Sequence, residues 1–188
     1  AVLAMPQMDL IKKHEYDVLI LDDQIDEFVI TMLQNYDKKS FKSISQGDLN
    51  ILDEKQKEEV EKLKDLKKPL IEKLKEILKD DVSDVVISSR LSDSPVCLVS
   101  KDGVSLEMEK VLASLPTENK AKAQKVLELN PNHELFKAME RIYAKDANAL
   151  KDYAELLYNQ ALLMEGFPLK DPVAFSNKMC ELMIKSSK

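Results

Sequence analysis

Val82-Ser83-Asp84-Val85-Val86-Ile87-Ser88-Ser89-Arg90-Leu91-Ser92-Asp93-Ser94-Pro95-Val96-Cys97-Leu98-Val99, answered further on by Leu127-Glu128-Leu129-Asn130-Pro131-Asn132-His133, decides the fold of this 188-residue chain. Val82–Leu91 and Val96–Ser100 are β-branched runs separated by Ser92-Asp93-Ser94-Pro95, whose side chains favour turns, so the pair predicts a hairpin or near-hairpin. Val104–Leu115 reads as a short helix stopped by Pro116, and Ala123–Leu129 as a third strand. Asn130 stands where it can cap the next helix, with Pro131 at its first position and His133 in its first turn, running to about Lys145. A hairpin, a helix, a strand and a helix in this order carry no catalytic apparatus.

Downstream, Asp146 or Ala147 opens a further helix that ends at Gly166, a residue suited to a left-handed cap. Asp171-Pro172 then repeats the cap-plus-proline device before the last helix. Upstream, residues 53–80 are dominated by charges of both signs. Val60, Leu63, Leu66, Leu70, Leu74 and Ile77 recur at helical spacing among them, and pairs such as Glu58/Lys62 add support. This predicts a long amphipathic linking helix, kinked or restarted at Pro69. Before it come a helix over Pro6–Lys13, within a helical run read from Ala1 to His14, then a strand at Val18–Leu21, a helix from Asp23 to about Tyr36, and a strand at Phe41–Ser45. A crossover of that length joins parallel strands. The expected class is therefore α+β: a small α/β subdomain over 1–52, a linking helix over 53–80, and over 81–188 a three-stranded sheet with helices and a C-terminal helix pair.

Composition narrows the chemistry. Asp plus Glu number 34 against 28 Lys plus Arg, and the only arginines are Arg90 and Arg141, so no surface suited to reading nucleic-acid phosphates is expected. Apolar runs such as Val18–Leu21 are too short to span a bilayer, and Ala1–Met5 lacks the features of a signal peptide, which makes a cytoplasmic protein the expectation. Cys97 and Cys180 stand alone, as in a reducing compartment, and each reads as a small core hydrophobe. The start at Ala1, inside a helical pattern, marks the chain as a fragment of something longer.

Three isolated glycines, Gly47, Gly103 and Gly166, cannot assemble a phosphate-cradling loop, and His14 and His133 have no partner at metal-ligand spacing. No cofactor or metal is expected within the chain. The acids Asp22, Asp23, Asp26 and Glu27 follow a predicted strand, as magnesium-binding acids do in phosphoacceptor enzymes. The strand and the lysine that such a site also needs are missing, and the acids are better read as capping a helix and favouring its positive end.

Taken together, the Arg90-Leu91-Ser92-Asp93-Ser94-Pro95 turn between strands and the Glu128-Leu129-Asn130-Pro131-Asn132-His133 helix opening resemble the C-terminal dimerisation domain of the ninety-kilodalton heat-shock-protein chaperones. Val18-Leu19-Ile20-Leu21-Asp22-Asp23-Gln24-Ile25-Asp26-Glu27-Phe28 resembles the end of the same family's middle domain, with Gln24 where the family has proline. The resemblance is collinear over essentially the whole chain. It implies a bacterial-type member, a parent that is an ATPase using ATP and magnesium, and an ATP site that lies outside these residues. Met183-Ile184-Lys185-Ser186-Ser187-Lys188 contains no M-E-E-V-D tail, so tetratricopeptide co-chaperones are not expected.

Two surfaces follow. Leu150, Tyr153, Ala154, Leu157, Ala161 and Met164 cover more than one side of their helix, and Phe175, Met179, Leu182 and Met183 stripe the last one. Such helices need burial on two sides, and a two-fold homodimer through a four-helix bundle supplies it. Val104, Met108, Val111 and Leu112 form a narrow apolar stripe with Glu107, Glu109 and Lys110 opposite. The resemblance implies that this helix faces the cleft between protomers, and that Glu27, Phe28 and Thr31 match a client-binding surface. The leading expectation is thus a non-catalytic chaperone segment that dimerises and binds non-native clients. A purely structural homodimerisation module is the alternative.

Overall fold

The computed structural model describes residues 2–14, 16–116 and 121–187. Among them the elements are a short 3₁₀ turn at Val2–Ala4, α1 (Met8–Lys13), α2 (Gln24–Leu33), β1 (Asn35–Tyr36), β2 (Lys39–Ser40), α3 (Glu54–Ile77), β3 (Asp84–Ile87), β4 (Val96–Ser100), α4 (Leu106–Ser114), β5 (Lys125–Leu129), α5 (Glu134–Lys145), α6 (Leu150–Met164) and α7 (Pro172–Ser186). The mixed α+β class is as expected.

The main sheet has the order β3-β5-β4, with β5 parallel to β3 and antiparallel to β4. The hairpin predicted across Ser92–Pro95 is therefore not formed, because β5 occupies the place between its two arms. The loop is held open by the end of β5. Asn130 donates through Nδ2 to the carbonyls of Ser92 and Ser94 at 3.0 and 3.1 Å, and its backbone N–H reaches the Pro95 carbonyl at 3.0 Å. Asn130 is thus committed to the loop, and the cap of α5 is His133, whose Nδ1 accepts from the Leu135 N–H at 3.1 Å.

One face of the sheet carries Val85, Ile87, Val96, Leu98, Leu127 and Leu129. Over it lie Leu70, Ile71, Leu74 and Leu78 around the end of α3, Phe136 and Met139 of α5, and the inner side of α6. The other face is a smaller cluster of Cys97, Val99 and Val126. Residues 45–47 line the outer edge of β4: Ser100 N–H donates to the Ser45 carbonyl and Gly47 N–H to the Ser100 carbonyl, both at 2.9 Å.

Asp53 and Gln56 form a reciprocal capping box at the start of α3, each accepting from the other's backbone N–H, at 2.8 and 3.0 Å. Pro69 lies inside α3 without ending it. The part after Pro69 is the more deeply anchored, since Leu70, Ile71 and Leu74 are buried; before it Leu63 packs at the margin of the core and Lys67 pairs with Glu140 at 2.7 Å, while Leu66 is 70% exposed.

The N-terminal prediction is only half met. Asp23 caps α2 as expected, with Asp26 accepting in return from the Asp23 N–H, so Gln24 does not disturb the helix start. Val18–Leu21, however, forms no strand and is exposed, and the predicted strand at Phe41–Ser45 is replaced by the two-residue strands β1 and β2 around Asp37-Lys38, both at positive φ. A run that is apolar on both faces forms a strand only with neighbours on its flanks, and the described residues supply none. Further on, Gly166 at φ +76° and the Asp171 cap before Pro172 match their expected roles.

Candidate functional site: two apolar surfaces

The first surface joins α2 to α4. No residue of α2 is buried. Phe28 is 37% and Met32 85% exposed, and Ile25 and Val29 are open to solvent as well. The Glu27 carboxylate accepts a hydrogen bond from Ser105 Oγ, and the same Oγ caps α4 by accepting from the Met108 N–H at 2.9 Å. One serine therefore fastens the first turn of α2 to the start of α4, and it brings Glu27 and Phe28 beside the Met108 helix. Thr31 Oγ1 is turned onto its own helix, donating to the Glu27 carbonyl at 2.7 Å.

α4 itself is pinned from below. Leu106 is buried in the main core. The Glu109 carboxylate takes the Lys125 ammonium at 2.6 Å and the Ala123 N–H at 2.8 Å. Lys110 donates to the Glu165 carbonyl at 2.8 Å, and both lysines lie over the Phe167 ring. Glu109 and Lys110, read from the sequence as lying opposite the apolar stripe, are thus the anchors, while Val104, Met108, Val111 and Leu112 are half-buried along a stripe that is not covered completely.

The second surface lies on α6 and α7. Leu150, Ala154, Leu157 and Ala161 are spent inside the protomer's own core, with exposures of 0, 1, 4 and 0%. This corrects their expected place at a partner. α6 is apolar on more than one side because one side packs onto the sheet. Tyr153 and Met164 are half-buried at its margin. α7 has no buried residue, and its Phe175 and Leu182 are half-buried whereas Met179 and Met183 are 40 and 62% exposed, beside exposed Val173 and Ile184. Lys178 ties α7 to α6 by pairing with Asp152 at 3.0 Å and with Glu155. Partial burial alone would lower the Lys178 pKa, but the two acids outweigh it and hold it above its ordinary value.

A model of the Hsp90 protein family matches residues 1–188 of this sequence. The chain belongs to the Hsp90 family. Among curated relatives, chaperone protein HtpG of Bacillus subtilis (strain 168) is 46% identical over 184 residues, which cover 96% of this chain and 29% of that protein. The HtpG proteins of Shouchella clausii (strain KSM-K16) and Clostridium botulinum (strain 657 / Type Ba4) are 46 and 48% identical, covering 97 and 95% of this chain and again 29% of their own lengths. The chain thus spans under a third of the relatives it matches.

Within this Hsp90-family chain the acidic cluster is taken up by capping, Asp26 accepting from the backbone N–H groups of Asp22 and Asp23 at 3.2 and 3.1 Å. Among the described residues no group of three or more His, Cys, Asp or Glu is placed to hold a metal ion. The three glycines are scattered, and Arg90 is buried against Glu128. Among the described residues no helix is long and apolar enough to cross a membrane. Cys97 is buried, and that burial pushes its thiol pKa well up, but Cys180 is exposed on α7 and is not the core residue expected. Sequence reasoning also missed Ser105 and Leu106. A serine just before the helix with Glu107 and Glu109 in its first turn was the available signal for the first.

Proposed function

We propose that this Hsp90-family chain is a non-catalytic segment of an ATP-dependent molecular chaperone, pairing with a second copy through α7 and the margin of α6 and offering the α2–α4 surface to non-native polypeptides. The observation that carries the reading is α7, a fifteen-residue helix without one buried residue, whose Met179 and Met183 face solvent in the single chain. A stable monomer seldom leaves such a face open, and an obligate two-fold interface typically buries roughly 2,000 Å² or more. The interface is narrower than the sequence suggests: Tyr153, Met164, Phe175, Met179, Leu182 and Met183 contribute, and the inward residues of α6 do not. ATP and magnesium belong to the parent protein, bound outside these residues.

Replacing Met179 and Met183 together with serine is expected to weaken the dimer at least about a hundredfold, since each buried methionine side chain is worth roughly 1.5–3 kcal/mol. Sedimentation velocity across a concentration series reads this. A double variant that stays dimeric at the wild-type concentration places the interface elsewhere. For the client surface, Phe28→Ala and the pair Met108→Ser/Leu112→Ser are expected to reduce suppression of aggregation of an unfolded model protein while dimerisation persists. If all three substitutions leave suppression intact, the module is structural only. If Met108→Ser/Leu112→Ser instead lowers stability by about 2–5 kcal/mol, the stripe is core.

A further inference from the structure

Gln7, the residue before α1, is fully buried and reaches from the N-terminal segment into the C-terminal half of the chain. Its Nε2 donates to the Leu98 carbonyl in β4 at 2.9 Å and to Oε1 of Glu165, the residue that ends α6. Glu165 is only 3% exposed. Two oxygens of the pair, Gln7 Oε1 and Glu165 Oε2, are buried without a hydrogen-bond partner among the described residues.

An ionised Glu165 leaves these oxygens as two acceptors with no hydrogen for either, in a place water does not reach. A carboxylic acid facing a primary amide behaves differently. The acid O–H donates to the amide oxygen while the amide N–H donates to the other acid oxygen, so one proton on Oε2 satisfies both orphans and removes a buried charge. We propose that Gln7 and Glu165 form a proton-dependent clasp, which fastens the α1 segment to β4 and α6 when Glu165 is protonated and loosens when it ionises.

The surroundings agree. From α4, Lys110 lies near and favours ionisation while Glu107 opposes it, and the Lys110 ammonium is already bound to the Glu165 backbone carbonyl. From β4, Cys97 is within electrostatic reach, and on α1 the Asp9 carboxylate is committed to the N–H groups of Ser92, Asp93 and Ser94 at 3.3, 3.1 and 3.0 Å. Lys125 is held by Glu109 across Phe167. Burial dominates and raises the Glu165 pKa from 4.5 to about 7, against the smaller lowering by Gln7 and Lys110. With the closed-state pKa raised, closure is fully favoured below 4.5, weakens as pH rises towards 7, and changes no further above it. Because Lys110 connects α4 to the Glu165 carbonyl, release of the clasp is felt at the Met108 helix too.

Hydrogen exchange of the intact chain, corrected for the intrinsic pH dependence of exchange, tests this through peptides covering α1 and β4. Between pH 6 and pH 8 the opening equilibrium of the wild type is expected to rise about tenfold. E165Q keeps an uncharged amide that pairs with Gln7 without titrating, and its opening is expected to be flat over the same interval. A wild type with no change, or an E165Q variant with the same change, overturns the clasp. Should E165Q fold poorly, a carbon-13 titration of the Glu165 carboxyl in the wild type decides: a midpoint near 7 supports the proposal, and one near 4.5 overturns it.

Discussion

Arg90→Leu is expected to destabilise the chain by about 3–5 kcal/mol, the usual consequence of leaving a buried partner charge alone. Arg90 is 2% exposed and its guanidinium is a hub. Nε and Nη2 each meet an oxygen of Glu128 at 3.0 Å, Nη1 donates to the Ile44 carbonyl at 2.6 Å, and Nη2 donates to the Gly47 carbonyl as well. Without it, Glu128 keeps the Ser88 hydroxyl at 2.7 Å and little else. Residues 44–47 also lose the guanidinium ties at Ile44 and Gly47 and keep the backbone bonds of Ser45 and Gly47 to Ser100. Lysine is not expected to rescue the site, because a single ammonium cannot reach a carboxylate and two carbonyls in a planar fork. Urea unfolding measures the loss, and a deficit under about 1 kcal/mol would contradict the hub. Removing both charges in Arg90→Leu/Glu128→Leu should recover part of it, since an apolar pair of similar volume avoids the uncompensated charge.

Leu150→Ala is the second large effect, expected to cost about 2–5 kcal/mol of protomer stability through the cavity it leaves. Leu150 is wholly buried at the start of α6 within the cluster that holds Leu74, Leu98, Phe136 and Ala154. The informative control is concentration. A core truncation lowers the unfolding midpoint by the same amount in dilute and concentrated protein, whereas an interface truncation such as Met179→Ser/Met183→Ser acts through association, so its deficit is absent where both proteins are monomeric and grows as protein is added. A Leu150→Ala deficit that disappears on dilution would return this residue to the dimer contact.

These two cases mark how far residues alone could be read. Helix spans followed in part from caps and spacing: Asp23 and Asp171 stand where the structure places a cap, whereas the cap read at Asn130 falls to His133. Amphipathic pattern showed that α6 must be buried on more than one side, but periodicity has no means of telling a sheet from a partner helix, so Leu150, Ala154, Leu157 and Ala161 were assigned outward. Strand pairing was legible only locally. Ser92-Asp93-Ser94-Pro95 is turn chemistry and does turn, but nothing in a turn reveals that a strand beginning 30 residues later will lie between its arms. At the N-terminus, the apolar run Val18–Leu21 had the composition of a strand without the neighbours to make it one. The candidate surface at α2 and α4 came from resemblance, and the Ser105 bond to Glu27 that joins its two halves was visible in neither helix taken alone.

The order β3-β5-β4 also sets a clock for synthesis. The two outer strands leave the ribosome first, and the central strand that pairs with both begins 25 residues after β4 ends. At roughly 5–20 residues per second, that leaves seconds in which Val85, Ile87, Val96 and Leu98 have no partner strand. The sheet therefore cannot be assembled stepwise from its N-terminal end. It closes in one event when Leu129 becomes free to pair, and until then the nascent chain exposes two unpaired edges of the kind that promote aggregation.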